Sequence, residues 1–411
     1  MKKFNKFLSV AVASAMVMAM AGCGNTDNGS AATGTNAATE SAAASDSAAA
    51  SDSAASGSVF KIGGIGPTTG GAAVYGLAVQ HGAEIAVEEI NAAGGINGYQ
   101  VEFKFQDDEA DAEKSVNAYN ALKDWGAQII DGSTTSGACI AVTDKTKEDN
   151  MFQITPSGSA VECVQYDNNF RVCFSDPNQG LASAQYIGEN GLAEKIAVIY
   201  DSSDVYSSGI YEKFVKEAEN QPFEVVAAEA FTADNKTDFS VQLQKAKDAG
   251  ADMVFLPIYY QESALILTQA AAMGYAPKWF SCDGMDGILG GVDNFDVSLT
   301  EGVMLLTPFA ADATDDLTQS FVTKYKEKYG DTPNQFAADS YDAIYVIKAA
   351  IEKSGVTPDM SVSDICDGMK AAMTEITVDG LTGNGMTWTA DGEANKAPKA
   401  VVIENGAYKA M

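Results

Sequence analysis

The strongest constraint on this chain is an alternation of short apolar strands with amphipathic helices that runs twice along the sequence. Val101, Phe103 and Phe105 alternate with Glu102 and Lys104, the period-two pattern of a strand covered on one face. Residues 196–200 and 253–256 are short continuous apolar runs, which suit strands buried on both faces of a sheet. Helical patterns lie between such segments. Ala83, Ala86, Val87 and Ile90 fall at i, i+3, i+4 and i+7, and the helix is expected to stop at Gly94 and Gly95. Residues 214–218 and 239–249 also read as amphipathic helices. Strand–helix–strand repetition implies parallel sheets with helices on both faces. One series covers about 59–177; a second starts near Gly180 and runs to about 307. A helix-rich stretch, 316–373, follows, then a β-hairpin from about 385 to 408 with Asn405 and Gly406 as turn residues. The expected fold is therefore α/β: two doubly wound parallel-sheet lobes joined by several hinge crossings. Residues 59–177 with 308–384 form the first lobe, and 178–307 with 385–411 the second. Ligands in open α/β sheets sit beyond the carboxyl ends of the strands, so two facing lobes would build a cleft from strand-end loops.

The residues before this body read as an export and tethering segment. Lys2, Lys3 and Lys6 give a positive start, and 8–20 is apolar but short for a permanent membrane span. Residues 1–22 are thus expected to be a signal peptide. Met20-Ala21-Gly22-Cys23 resembles a bacterial lipobox, with Met20 where Leu is usual, which implies lipidation of Cys23. Residues 24–58 are Ala, Ser, Thr, Gly and Asn with scattered acids; they hold too little apolar surface to repay the cost of ordering, and read as a flexible leash. The formal net charge is −30, which disfavours nucleic acid and anionic lipid surfaces as partners. Of the six cysteines, no two stand in a CxxC pair, and with one histidine in the chain no zinc site is expected. Cys163 and Cys173 bracket one loop and could form a disulfide; the alternative is that the cysteines are small buried hydrophobes.

The loops that follow the expected strands are rich in hydroxyls, glycines and aromatics. Residues 66–76 carry Tyr75; residues 131–137, Asp-Gly-Ser-Thr-Thr-Ser-Gly, lead into a helix. Hydroxyls and backbone N–H groups at a helix start suit a carboxylate, although Ser and Thr there also serve as ordinary N-caps. Thr155-Pro156-Ser157-Gly158-Ser159 is a further polar loop. In the second lobe, Asp201 to Gly209 carries Tyr206, residues 257–262 carry Tyr259 and Tyr260, and residues 281–284 carry Asp283. A strand-end carboxylate facing a hydroxyl and amide cradle outlines a receptor for a zwitterion: one side pairs with an ammonium, the other with a carboxylate. Enzyme readings fit poorly. His81 is the chain's one histidine and lies in a helical pattern, so no Ser-His-Asp set exists; Gly64 and Gly66 are followed by Pro67 without a third glycine at dinucleotide spacing, and no phosphate loop is present. Asp107, Asp108, Glu109 and Asp111 lack calcium-loop spacing and its glycine, and read as a solvated loop.

Taken in order, 61–70, 86–96, Thr135-Ser136-Gly137, Ile154-Thr155-Pro156, Phe170-Arg171, Tyr206 with Gly209, Tyr259-Tyr260 and Tyr341-Asp342-Ala343 resemble the branched-chain amino-acid binding proteins of ABC importers, the leucine/isoleucine/valine type of type I periplasmic binding proteins. The resemblance covers nearly all of 59–411. It implies a non-enzymatic, extracytoplasmic, monomeric receptor without cofactor, held at the outer face of the membrane by its lipid, that delivers a small molecule such as an amino acid to an ABC permease. Ser136 then binds the ligand carboxylate, and Ser157 and Ser159 bind both head groups, largely through backbone atoms. Asp283, often Glu in the family, takes the ammonium; Tyr260 or its neighbour Tyr259 contacts the ligand from the second lobe, and Tyr75 and Tyr206 close over it. Thr134 and Thr135 stand where the family carries apolar or Cys side chains, which makes the pocket more polar. Receptors for urea, an amide or an aromatic acid, and a ligand-sensing module of a signalling system, are the rival readings.

Overall fold

The computed structural model describes residues 57–411; Cys23, the expected signal and all but the end of the expected leash lie outside the described residues. The first series gives strands β1 (Phe60–Gly66), β2 (Val101–Asp107), β3 (Ile129–Asp131), β4 (Phe152–Thr155) and β5 (Asn169–Arg171), with helices α1 (Ala73–Ala92), α2 (Ala112–Trp125) and α3 (Ser136–Asp149) between them. The five strands form one parallel sheet in the order β2-β1-β3-β4-β5. The chain then crosses to a second series: α4 (Asp176–Glu189), β6 (Lys195–Asp201), α5 (Val205–Ala218), β7 (Glu224–Phe231), α6 (Ser240–Asp248), β8 (Met253–Leu256), α7 (Tyr260–Ala272), β9 (Lys278–Ser281) and β10 (Met304–Thr307). It returns as α8 (Asp316–Tyr329), α9 (Gln335–Ser354) and α10 (Val362–Met373), and ends in the hairpin β11 (Lys399–Glu404) and β12 (Ala407–Ala410). The second sheet has the order β12-β11-β10-β9-β8-β6-β7, parallel except for the two antiparallel hairpin strands at its edge.

The hydrophobic patterns explain these positions. β3, β4, β8 and β10 are buried along their whole length, as continuous apolar runs require, whereas β2 sits at an edge and buries only Val101 fully. Asn405 and Gly406 both take positive φ, 53° and 72°, which matches the hairpin turn expected there. α9 lies along α1 so closely that a Cβ on Gly82 would stand 2.0 Å from the Ala337 carbonyl oxygen. Helix α5 begins far earlier than its apolar stripe. α5 starts at Val205, capped by the Asp204 carboxylate, and Gly209 lets it press against Asp176 at the start of α4, where a Cβ would stand 3.0 Å from that of Asp176. His81 is packed, with its ring 3.6 Å from that of Tyr329 and Nδ1 3.2 Å from the Tyr325 hydroxyl. The five described cysteines are buried and free; Cys163 and Cys173 are thiols, not a disulfide. Among the described residues no helix is long and apolar enough to cross a membrane, and no group of metal-ligating side chains forms.

The third crossing, from α10 to β11, is locked to the edge of the first sheet before it reaches the second. Trp388 Nε1 donates to the Arg171 carbonyl at 2.8 Å, and Arg171 N–H donates to Gly392 O at 3.0 Å. The Lys396 ammonium, its side chain 1% exposed, donates to Val172 O at 2.9 Å and to Asp339 Oδ1 at 2.6 Å. Burial pushes Asp339 up to about 6 against the pull of Lys396. Lys396→Met would leave that carboxylate buried without its partner, and is expected to destabilise the body by about 3–5 kcal/mol at pH 8. Without the pull of Lys396 the Asp339 carboxyl of the variant lies above the parent's, and its protonation removes the stranded charge, so the deficit should shrink as pH falls. Thermal unfolding of the variant and the parent at pH 8 and pH 5 checks both the size and the direction.

Candidate functional site

Where the two lobes face each other, β3 ends in a loop whose last residue, Ser136, opens α3. Ser136 Oγ accepts the backbone N–H groups of Ser159 and Ala160, each at 3.1 Å, and lies 3.4 Å from Ser159 Oγ. A hydroxyl has two lone pairs and one proton; with both lone pairs occupied, the Ser136 proton is the group left to donate. The amides that orient it are themselves held from behind. Arg171, fully buried, sends one guanidinium nitrogen to Ser159 O at 2.5 Å and Gly158 O at 3.3 Å, and the other to Ala160 O at 2.9 Å, while Nε faces Glu393 at 3.3 Å. Turning those carbonyls toward a permanent cation turns the neighbouring N–H groups toward Ser136. The other hydroxyls differ in availability. Ser157 Oγ donates to Thr134 O at 2.5 Å, and Thr134 Oγ1 donates to Ile65 O at 3.2 Å, so both are spent on backbone. Thr135, only 6% exposed, has an Oγ1 without a partner. Of the two threonines expected to make the pocket polar, Thr135 is the one with a hydroxyl to spare.

Across the cleft, Asp283 follows β9. Its Oδ1 accepts the Tyr206 hydroxyl at 2.6 Å and its Oδ2 accepts Gln179 Nε2 at 2.9 Å. Burial pushes its carboxyl up to about 6, opposed by those two bonds. A second acid stands close by: Asp176, 1% exposed, has neither carboxylate oxygen paired, and its N–H donates to Ser159 O at 2.9 Å. Burial holds its carboxyl well above the usual range. Neither Gln179 nor Asp176 was singled out from sequence. They sit in Ser175-Asp176-Pro177-Asn178-Gln179, which reads as nothing more than a helix start.

Aromatic side chains join the lobes. The Tyr75 hydroxyl donates to Gly284 O and accepts Tyr260 N–H at 3.2 Å, so one phenol from α1 bridges the first lobe to the second. Its ring stands edge-on to Tyr259 and Tyr260, at 5.4 and 5.2 Å between centroids, and 4.4 Å from Phe336. Tyr206 stacks on Tyr259 at 5.1 Å. The enclosed space lies among Tyr75, Thr134, Thr135, Ser136, Ser157, Ser159, Tyr206, Tyr259 and Asp283, with Gly284 and Phe336, which sequence reasoning missed. Tyr260 lies outside it and positions Tyr75. Phe336 gave no local signal because it reaches the cleft from the first turn of α9, far from any strand end. Free space here is about 20 Å³, room for one water molecule, so a solute enters only as the lobes part.

Asp107, Glu109 and Asp111 of the acid cluster are exposed, as a solvated loop requires, but Asp108 is not. Asp108 is fully buried: its carboxylate accepts Ala110 N–H at 2.9 Å and the Ser133 hydroxyl, and burial raises it to about 6. Asp107 accepts the N–H groups of Thr68 and Thr69, at 2.8 and 3.3 Å, and Asp111 caps α2. Asp108 failed to read as structural because its Ser133 partner lies on another loop, as do the Thr68 and Thr69 amides bound by Asp107.

A cleft between two doubly wound lobes, bridged by side chains and lined by an oriented hydroxyl on one wall and a buried carboxylate on the other, defines a solute receptor that opens and closes. The family described as "Periplasmic binding protein" matches residues 59–407. The chain is 31% identical over 300 residues to Leu/Ile/Val-binding protein homolog 3 of Brucella melitensis, covering 72% of this chain and 80% of that protein. It is 31% identical over 302 residues to the leucine-, isoleucine-, valine-, threonine- and alanine-binding protein of Pseudomonas aeruginosa, covering 72% and 78%. Among solved structures it is similar to the branched-chain amino acid transporter substrate-binding protein LivJ of Streptococcus pneumoniae in complex with isoleucine: TM-score 0.77, 28% identity, 86% of this chain and 99% of that one. The chain belongs to the periplasmic binding protein family, in its type I, leucine/isoleucine/valine-like branch, a family of transporter substrate-binding proteins.

The Tyr75 bridge predicts a shift in the lobe equilibrium. Tyr75→Phe removes the bonds to Gly284 O and Tyr260 N–H, two contacts worth about 1–3 kcal/mol together. The open form should gain roughly five- to a hundredfold in population. Small-angle scattering of the body without added solute would report it as a larger radius of gyration than the parent's.

Proposed function

We propose that this protein is the solute-binding lipoprotein of an ABC importer and that it captures an α-amino acid between its lobes. The observation that carries the reading is the Ser136 hydroxyl, whose lone pairs are filled by two backbone amides so that its proton is left to donate, in the same enclosure as the buried carboxylate of Asp283. The first suits a ligand carboxylate and the second a ligand ammonium. The loop 157–160 serves the carboxylate side by orienting Ser136 through the Ser159 and Ala160 amides, and Tyr75, Tyr206 and Tyr259 cover the ligand. Ligand contacts to both lobes stabilise the closed form, which a permease can distinguish from the open one. The names of the relatives support amino acids as the ligand class. A lipid on Cys23 would hold the receptor at the outer face of the membrane, and Cys23→Ala should release a fully folded body from the membrane fraction; a variant still sedimenting with membranes would contradict the anchor.

Calorimetry against a panel of L-amino acids tests the central reading. Asp283→Ala strands the ligand ammonium and should cost about 2–5 kcal/mol of affinity, whereas Ser136→Ala removes a neutral donor to a charged oxygen and should cost about 1.5–3 kcal/mol. Affinity should also depend on pH. Asp283 must be ionised to pair with an ammonium, and its carboxyl is held at about 6; Asp176, also raised, faces the same region, and Arg171 stays charged throughout. Binding is then strong above about pH 6 and falls by about tenfold per pH unit below it. A flat profile from pH 8 to pH 5 would remove the ammonium from the Asp283 position.

A further inference from the structure

The enclosure around Ser136 and Asp283 has about 20 Å³ of free space, but a larger chamber of about 330 Å³ lies against it, and the two share Thr135 and Tyr259 as walls. We infer that the ligand's side chain extends past Thr135 into this outer chamber, and that it is a polar side chain bearing hydrogen-bond donors, an amide or a cation, rather than an aliphatic one. The inference deepens the amino-acid reading above and rests on it.

Two independent observations meet at that chamber. The first is the Thr135 hydroxyl, which is nine-tenths buried, lines both spaces and has no partner. A buried hydroxyl left unpaired costs about 1–3 kcal/mol, and an aliphatic side chain laid over it would leave that cost in place. A ligand atom able to donate or accept removes it. The second is charge. Four acids line the chamber, but Glu262 is paired with Lys236 at 2.9 Å and Glu109 with Lys114 at 2.5 Å, which leaves Asp201 and Asp204 as the carboxylates without a cation. Asp201 Oδ1 accepts the N–H and hydroxyl of Ser203, and Asp204 Oδ1 accepts Tyr206 N–H, so each acid has one oxygen engaged by the protein. A surplus of carboxylates favours donors and cations and repels an acidic side chain. Phe231, Ile258 and Tyr259 add apolar wall along which the stem of a long polar side chain can lie.

The test is a titration of the full-length protein in detergent with glutamine, lysine, leucine and glutamate, on the parent and on Thr135→Val and Asp201→Asn, each checked for folding by circular dichroism. Glutamine or lysine is expected to bind at least tenfold more tightly than leucine, and glutamate weakest of the four. Thr135→Val should lower the preference of glutamine over leucine by about tenfold, since it removes one buried hydrogen bond and its orphan. Asp201→Asn should weaken lysine more than glutamine. Leucine as the tightest ligand of the parent, or a preference that Thr135→Val leaves unchanged, would overturn the inference while leaving the amino-acid receptor standing. Binding of none of the amino acids would overturn the parent reading, and this one with it.

Discussion

The buried guanidinium of Arg171 is the interaction on which the site depends. Taking a cation fully out of water is costly unless it finds acceptors and a counter-charge; the two terminal nitrogens of Arg171 donate to the carbonyls of Gly158, Ser159 and Ala160, and Nε, which makes no hydrogen bond, has the Glu393 carboxylate 3.3 Å away as its charge partner. The exchange fixes the loop after β4. Its carbonyls point at the cation, its amides point at Ser136, and Ser136 is left with a proton to give. The backbone of Arg171 is bound in turn to Trp388 and Gly392, so the residue that orients the loop around Ser136 also fastens the last crossing between the lobes.

The opposite wall is built on a different principle. Asp283 is held by two neutral donors, Tyr206 and Gln179; neither brings a positive charge, so its own remains uncompensated. With Asp176 unpaired nearby, this side of the cleft carries more buried acid than the protein neutralises. Such a wall is poorly solvated when the lobes are shut, and under the proposed function a ligand ammonium would offset that cost and tie closure to occupancy. Tyr75, bonded to backbone of the second lobe, draws the walls together, and the Tyr75–Tyr259–Tyr206 series supplies the apolar cover that excludes water and strengthens the charge pairing.

Much of this was legible in the sequence, for identifiable reasons. Continuous apolar runs placed the central strands, and Asn405-Gly406 placed the hairpin turn, because both signals are local. The residues at strand ends were named because a doubly wound sheet gathers its loops at one edge. What sequence did not show came through space. Phe336 arrives from a helix far along the chain, Gln179 and Asp176 look like ordinary helix-start residues, and α5 begins nine residues before its apolar stripe, with Gly209 fitted against Asp176. Asp108 reads as a surface acid and is a buried brace, since its hydroxyl partner, Ser133, lies on another loop. The two threonines look alike in sequence, and only the direction of their hydroxyl bonds separates them.

A crystal structure of the body grown with a tightly bound α-amino acid tests the central claim most directly. The ligand carboxylate is expected within about 2.7–3.2 Å of Ser136 Oγ, with the ammonium against Asp283 and both lobes closed on it. A ligand bound with those ends reversed, or held outside the cleft, would contradict it.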